Sequence, residues 1–216
     1  MRRMTLLVLI GVLALGSASV WAQGSGRLTI QPFAGYRTSG SFGISAAVSL
    51  KYNALRVSDG FAYGLSVGFR LSPNATVEAQ WARTDSKLEG LSPNPAFPAI
   101  SLFNLYEDQV HANFLYYFGD PQGIVRPFFV SGLGVTIANP RGIEVSGETR
   151  FSFNIGLGFE KMFNDRVGVR LQGKWYPTYI NSQLQWFVDW WGFAYLVPVN
   201  QYMTQWEFTG GLVFRF

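Results

Sequence analysis

Six basic side chains (Arg37, Arg70, Arg126, Arg170, Lys174 and Arg215) and three carboxylates (Glu78, Glu160 and Glu207) lie within runs where apolar and non-apolar residues alternate. Successive side chains of an extended strand point to opposite faces. All nine therefore fall on the face turned away from the apolar residues. Charges gathered on an enclosed face have two uses. They can pair and seal the space, because a lone ion at low dielectric costs several kcal/mol. They can also line a narrow, weakly anion-preferring passage, given the excess of basic groups. Glu160 and Arg170 come level if a three-residue turn joins their strands, and Glu78 comes near Arg70 across another tight turn.

His111 is the only histidine. Hydrolytic or acyl-transfer chemistry would need a nucleophile and an orienting carboxylate beside it. Ser66 and Glu78 fall on nearby segments, yet no spacing identifies a triad, and a hydrogen-bonded interior histidine without catalysis is the expectation. The chain has no cysteine, which excludes disulfides and cysteine metal sites, and no cofactor is expected. A second cluster is aromatic: Trp186, Trp190, Trp191, Phe193 and Tyr195 crowd one connecting segment. Such rings either extend the flanking strands and sit at a membrane interface, or form an exposed contact surface for a partner or small apolar ligand.

These side chains need eight strands to carry them. Alternating segments run at about 27–37, 61–71, 75–84, 107–118, 125–138, 149–163, 167–176 and 207–216. The cleanest places Phe61, Tyr63, Leu65, Val67, Phe69 and Leu71 on one face and Ala62, Gly64, Ser66, Gly68 and Arg70 on the other. The final segment sets Phe208, Leu212, Phe214 and Phe216 against Glu207, Thr209, Val213 and Arg215. Short turns at Ser72–Asn74, Gly119–Gly123 and Asn164–Arg166 alternate with longer loops at about 38–60, 85–106, 139–148 and 177–203. Three prolines between Leu91 and Pro98 stiffen the second loop.

Aromatic residues form 17% of the chain and charged residues only 14%, yet no window after the N-terminal region approaches the roughly 18 apolar residues of a membrane helix. Apolar content spread in alternation fits strands whose outer face meets lipid, because only helices or closed barrels satisfy the backbone within a bilayer. Arg2 and Arg3 before the apolar run Leu6–Leu15 read as a secretory signal peptide over residues 1–22, leaving one barrel domain at 23–216. Without those two arginines the 17 basic residues fall to 15 against 13 acidic, too weak a balance to imply nucleic acid. Short turns at one end and long loops at the other, on an even number of antiparallel strands, predict an all-β, eight-stranded transmembrane barrel in the cell outer membrane.

The chain resembles the small eight-stranded outer-membrane barrel superfamily that includes the OmpA membrane domain, OmpX, OmpW and opacity-type proteins. The resemblance is carried by Val125–Gly134, Thr149–Gly158, Asp165–Leu171 and the terminal Phe-Arg-Phe. It implies that Phe208, Leu212, Phe214 and Phe216 form the assembly signal read by the barrel-assembly machinery, with outer-membrane lipid as the other partner. A structural or permeability role with a plugged or narrow, porin-like lumen is expected. A surface-binding, adhesin-type barrel whose loops contact an unknown partner is the alternative. A soluble, lipocalin-like barrel would instead need an apolar interior.

Overall fold

The structure, a computed structural model, describes residues 27–38, 40–43, 54–92, 99–141, 147–181, 185–188, 194–197 and 200–216. The proposed signal peptide, the three loop prolines, and Trp190, Trp191 and Phe193 lie outside these residues. Twelve strands occur among them: β1 (Leu28–Arg37), β2 (Gly40–Gly43), β3 (Ala54–Val57), β4 (Gly60–Ser72), β5 (Ala75–Leu91), β6 (Ile100–Tyr117), β7 (Val125–Arg141), β8 (Glu148–Met162), β9 (Val167–Asn181), β10 (Gln185–Val188), β11 (Ala194–Val197) and β12 (Asn200–Arg215).

Eight of them close a ring in the order β1-β4-β5-β6-β7-β8-β9-β12, every neighbour antiparallel. The expected all-β, eight-stranded barrel is the observed one. Strands β1 and β12 meet at the seam, where Leu28 and Phe216 exchange backbone hydrogen bonds of 3.2 and 2.9 Å. Closure leaves no unpaired edge, which is what a backbone inside a bilayer requires.

The alternation is borne out on every wall strand. Phe61, Leu133, Leu157, Phe159, Leu171, Phe208 and Phe216 are exposed on the outside, whereas Gln31, Gln80, Gln109, Asn154 and Arg170 are buried inside. Strand ends depart from the sequence-based ranges. β5 continues through Asp85–Leu91 and β6 begins at Ile100, so most of the second loop is strand. β9 runs on to Asn181, β12 starts at Asn200, and Gln185–Val188 pairs with Ala194–Val197 as a hairpin between them. Within the first loop, β2 and β3 pair with each other, and β3 continues the wall along β5. The cause is length: β6 has 18 residues, whereas about 9–11 tilted residues cross a bilayer. The wall therefore rises beyond the membrane on the long-loop side, where Asp85, Lys87 and Asn104 face out and the apolar Leu88 and Leu105 turn inward, reversing the alternation seen in the lipid band.

Candidate functional site

The barrel's interior face is the candidate site, and its polar side chains occupy three levels. Nearest the short turns, Arg170 of β9 is the hub. Its guanidinium donates to Glu160 Oε2 (2.8 Å), Glu78 Oε2 (2.6 Å), Gln31 Oε1 (2.7 Å) and the Tyr117 hydroxyl (2.9 Å). Tyr117 in turn donates to Glu160 at 2.9 Å, and Arg215 reaches the other Glu160 oxygen at 2.5 Å. Arg170, Glu160 and Glu78 are almost wholly buried. Their charges are matched by forked, charge-assisted bonds, the arrangement that makes a buried ion tolerable.

Above this lies a layer of amides, hydroxyls and one ammonium. Asn154 donates to Asn113 (2.8 Å), Asn113 donates to Gln80 (2.8 Å), and Lys174 donates to the same Gln80 oxygen. His111 Nε2 pairs with Ser152 Oγ at 2.9 Å, and Ser152 leads on to Thr136 and Thr178. The hydroxyl partner of His111 is thus Ser152 rather than Ser66, and the chain beyond it is made of hydroxyls rather than a carboxylate. Among the described residues, no hydrogen bond joins His111 to a carboxylate, the contact that an orienting acid would make.

The third level, toward the long loops, centres on Arg37. It donates to Glu207 Oε2 from Nε at 3.1 Å and also from Nη2, and it faces Glu107 at 3.8 Å. Tyr176 donates to Glu207 (3.2 Å) and Gln205 to Glu107 (3.1 Å).

The sequence-based pairing of Glu160 with Arg170 is present, with the two residues level in the β8–β9 register. The pairing of Glu78 with Arg70 is corrected. Glu78 sits opposite Gly68, its carboxylate reaches across the lumen to Arg170, and Arg70 sits opposite Thr76 at the half-buried rim. The physical reason is width: in an eight-stranded ring, long side chains meet across the lumen as easily as along the wall. Arg126, though level with Glu160, turns to Pro73 O (2.8 Å) and Asn74 Oδ1 (3.0 Å) and lies over the Tyr117 ring. Phe208, Leu212, Phe214 and Phe216 lie on the outward face of β12. Trp186 and Tyr195 belong to the β10–β11 hairpin.

Some residues escaped the sequence reading. Glu107 shares its face with Gln109 and His111, so period two alone would have added it. Leu115, Tyr117, Phe128 and Val130 form an apolar cluster inside the barrel, a feature the inward charges did not reveal. Its position follows from Gly158, where a Cβ would come within 2.4 Å of the Phe128 ring. The glycine makes the space the ring fills.

A closed antiparallel wall, apolar outside and charge-filled within, defines a transmembrane barrel of the outer-membrane class. The chain belongs to the outer membrane protein beta-barrel domain family, which matches residues 7–216. Among solved structures it is similar to Neisserial surface protein A, at 15% identity over 90% of this chain and 100% of that one, with a TM-score of 0.57. OprG from Pseudomonas aeruginosa is similar at 14% identity over 89% and 98%, with a TM-score of 0.56. AlkL, solved in lipid bilayers, is similar at 8% identity over 90% and 92%, with a TM-score of 0.54. At these identities the likeness is one of fold. No curated protein sequence matches the chain. The protein is thus an outer-membrane β-barrel.

Proposed function

We propose that this barrel has a structural, permeability-limiting role, with a lumen closed at rest by its own side chains. One observation carries the reading: interior bonds span the full diameter. Strands β5 and β9 face each other across the ring, and Arg170–Glu78 and Lys174–Gln80 both join them. Gln205–Glu107 likewise joins the opposed β12 and β6. Three such crossings at successive levels obstruct a continuous water column. The porin-like alternative, a narrow anion passage, would require them to open. We propose no catalytic role. In planar bilayers the refolded protein should give no steady conductance, and a large, sustained, anion-selective current would overturn the closed-lumen reading.

Surface binding is the second reading. It is favoured by the wall that rises beyond the bilayer and by the β10–β11 hairpin carrying Trp186 and Tyr195. The barrel-assembly machinery is the partner proposed for the outward row Phe208, Leu212, Phe214 and Phe216. Phe216→Ala should then lower outer-membrane insertion in cells severalfold while leaving refolding into detergent unchanged. Equal insertion of variant and parent would remove that role.

A further inference from the structure

The outer wall is apolar from the short-turn end upward, but its height is uneven. On β12 the outward series Phe216, Phe214, Leu212, Gly210, Phe208, Trp206 carries no charge. On β5 only Ala75, Val77, Ala79 and Trp81 precede Arg83, and on β6 only Tyr116, Phe114, Ala112 and Val110 precede Asp108. Ala75 to Trp81 spans about 20 Å along the strand, or roughly 15 Å of height at a tilt of 35–45°, against the usual band of about 25 Å. The first outward charges on this sector therefore lie at the lipid boundary.

Their pairing agrees with that depth. Arg83 and Asp108 are cross-strand neighbours joined by two bonds of 2.8 Å, and Trp81 donates its indole N–H to the same carboxylate at 3.2 Å. That pair is internally neutral. One step farther out, Arg141 lies over the Tyr106 ring at 3.9 Å, and Arg83 faces the same ring at 5.5 Å. Lys87 and Arg141 are both level with Asn104, one on each side of it, and both are exposed. Asp85 is the other outward acid between them and the membrane band. Basic side chains beside an interfacial aromatic at headgroup depth complement a membrane-anchored phosphate: guanidinium forks match phosphate oxygens, and basic pockets at this level hold lipid headgroups.

We infer that the wall over β5–β7 binds the phosphorylated headgroup of an outer-leaflet lipid, with Arg141 and Lys87 as its phosphate contacts and Tyr106 holding Arg141 in place. The lipid's acyl chains would lie along the low apolar sector that ends at Trp81 and Val110.

Native mass spectrometry of the folded protein tests this, using lipid A (two phosphomonoesters), phosphatidylcholine and inorganic phosphate as separate probes. The wild type should retain lipid A in preference to phosphatidylcholine. Arg141→Gln with Lys87→Gln should cut that retention about thirtyfold, in keeping with headgroup attraction of about 1 kcal/mol per basic residue, and Tyr106→Leu should lower it in the same direction. Lys161→Gln, an exposed cation at the opposite rim, should leave it unchanged. Equal retention of both lipids, equal retention by the double variant, or displacement of lipid A by inorganic phosphate would each overturn the inference.

Discussion

Arg170→Ala should destabilise the folded barrel by about 3–5 kcal/mol, the usual cost of stripping one partner from a buried ion pair. The guanidinium contacts Glu160, Glu78, Gln31 and Tyr117 at once. Removing it leaves Glu78 with one 3.3 Å bond from Asn113, and leaves Glu160 dependent on Arg215 and Tyr117. Arg170→Lys should recover only part of the loss, because an ammonium is a point charge and cannot serve a fork of acceptors on opposite walls. Glu160→Ala should cost less than Arg170→Ala, since Arg170 keeps Glu78. Equilibrium unfolding in detergent, followed by the difference in gel migration between folded and heated samples, measures all three. A loss below about 1 kcal/mol for Arg170→Ala would mean that water solvates the pair, and the closed lumen would fall with it. The neighbouring level gives that outcome a physical route, since Gln172 is buried with neither amide atom bonded to the protein. Buried polar atoms of this kind are ones that ordered water commonly serves.

What was legible in the sequence follows from the range of the interactions involved. Facing is local: Arg70, Gly68 and Ser66 alternate with Phe69, Val67 and Leu65 because the pleat has period two, and nothing distant can reverse it. The wall strands and their inward charges could therefore be read off the chain. Register across a short turn is nearly as local, which is why Glu160 and Arg170 were found as a pair. The partner of Glu78 was not, since Arg170 lies on the far side of the ring and only closure brings it within 2.6 Å. The upper wall was missed for a different reason. Asp85, Lys87 and Asn104 are outward polar residues on strand beyond the lipid, where the apolar residues Leu88 and Leu105 lie on the inner face, so the lipid-facing pattern reverses instead of continuing. Inward glycines were legible as small residues, but their purpose was not.

Gly35 shows that purpose. It lies on the inner face of β1 at the seam, level with Thr209 of β12 and Ala62 of β4. A Cβ there would stand 2.0 Å from Phe208 O, 2.7 Å from Thr209 Cα and 2.8 Å from Phe208 C. All three atoms are backbone of the partner strand, so no side-chain rotation relieves the overlap. At this level the two strands approach so closely on the concave side that β1 has no room for a side chain. Gly35→Val should therefore push β1 from β12 and break hydrogen bonds that join the ends of the wall. Overpacking alone costs about 1–3 kcal/mol, sometimes more, and here it adds to exposed backbone groups that a bilayer cannot satisfy. We expect most of the refolded Gly35→Val protein to lack the compact, heat-sensitive gel form. Gly173→Ala is the control, because its Cβ would meet only the rim of the Phe208 ring at 3.2 Å on the outer face, where the ring can shift. That variant should fold with a midpoint close to wild type. If Gly35→Val refolds to the same compact form with a stability loss below about 1 kcal/mol, the β1–β12 seam is looser than its geometry requires, and closure is governed elsewhere in the ring.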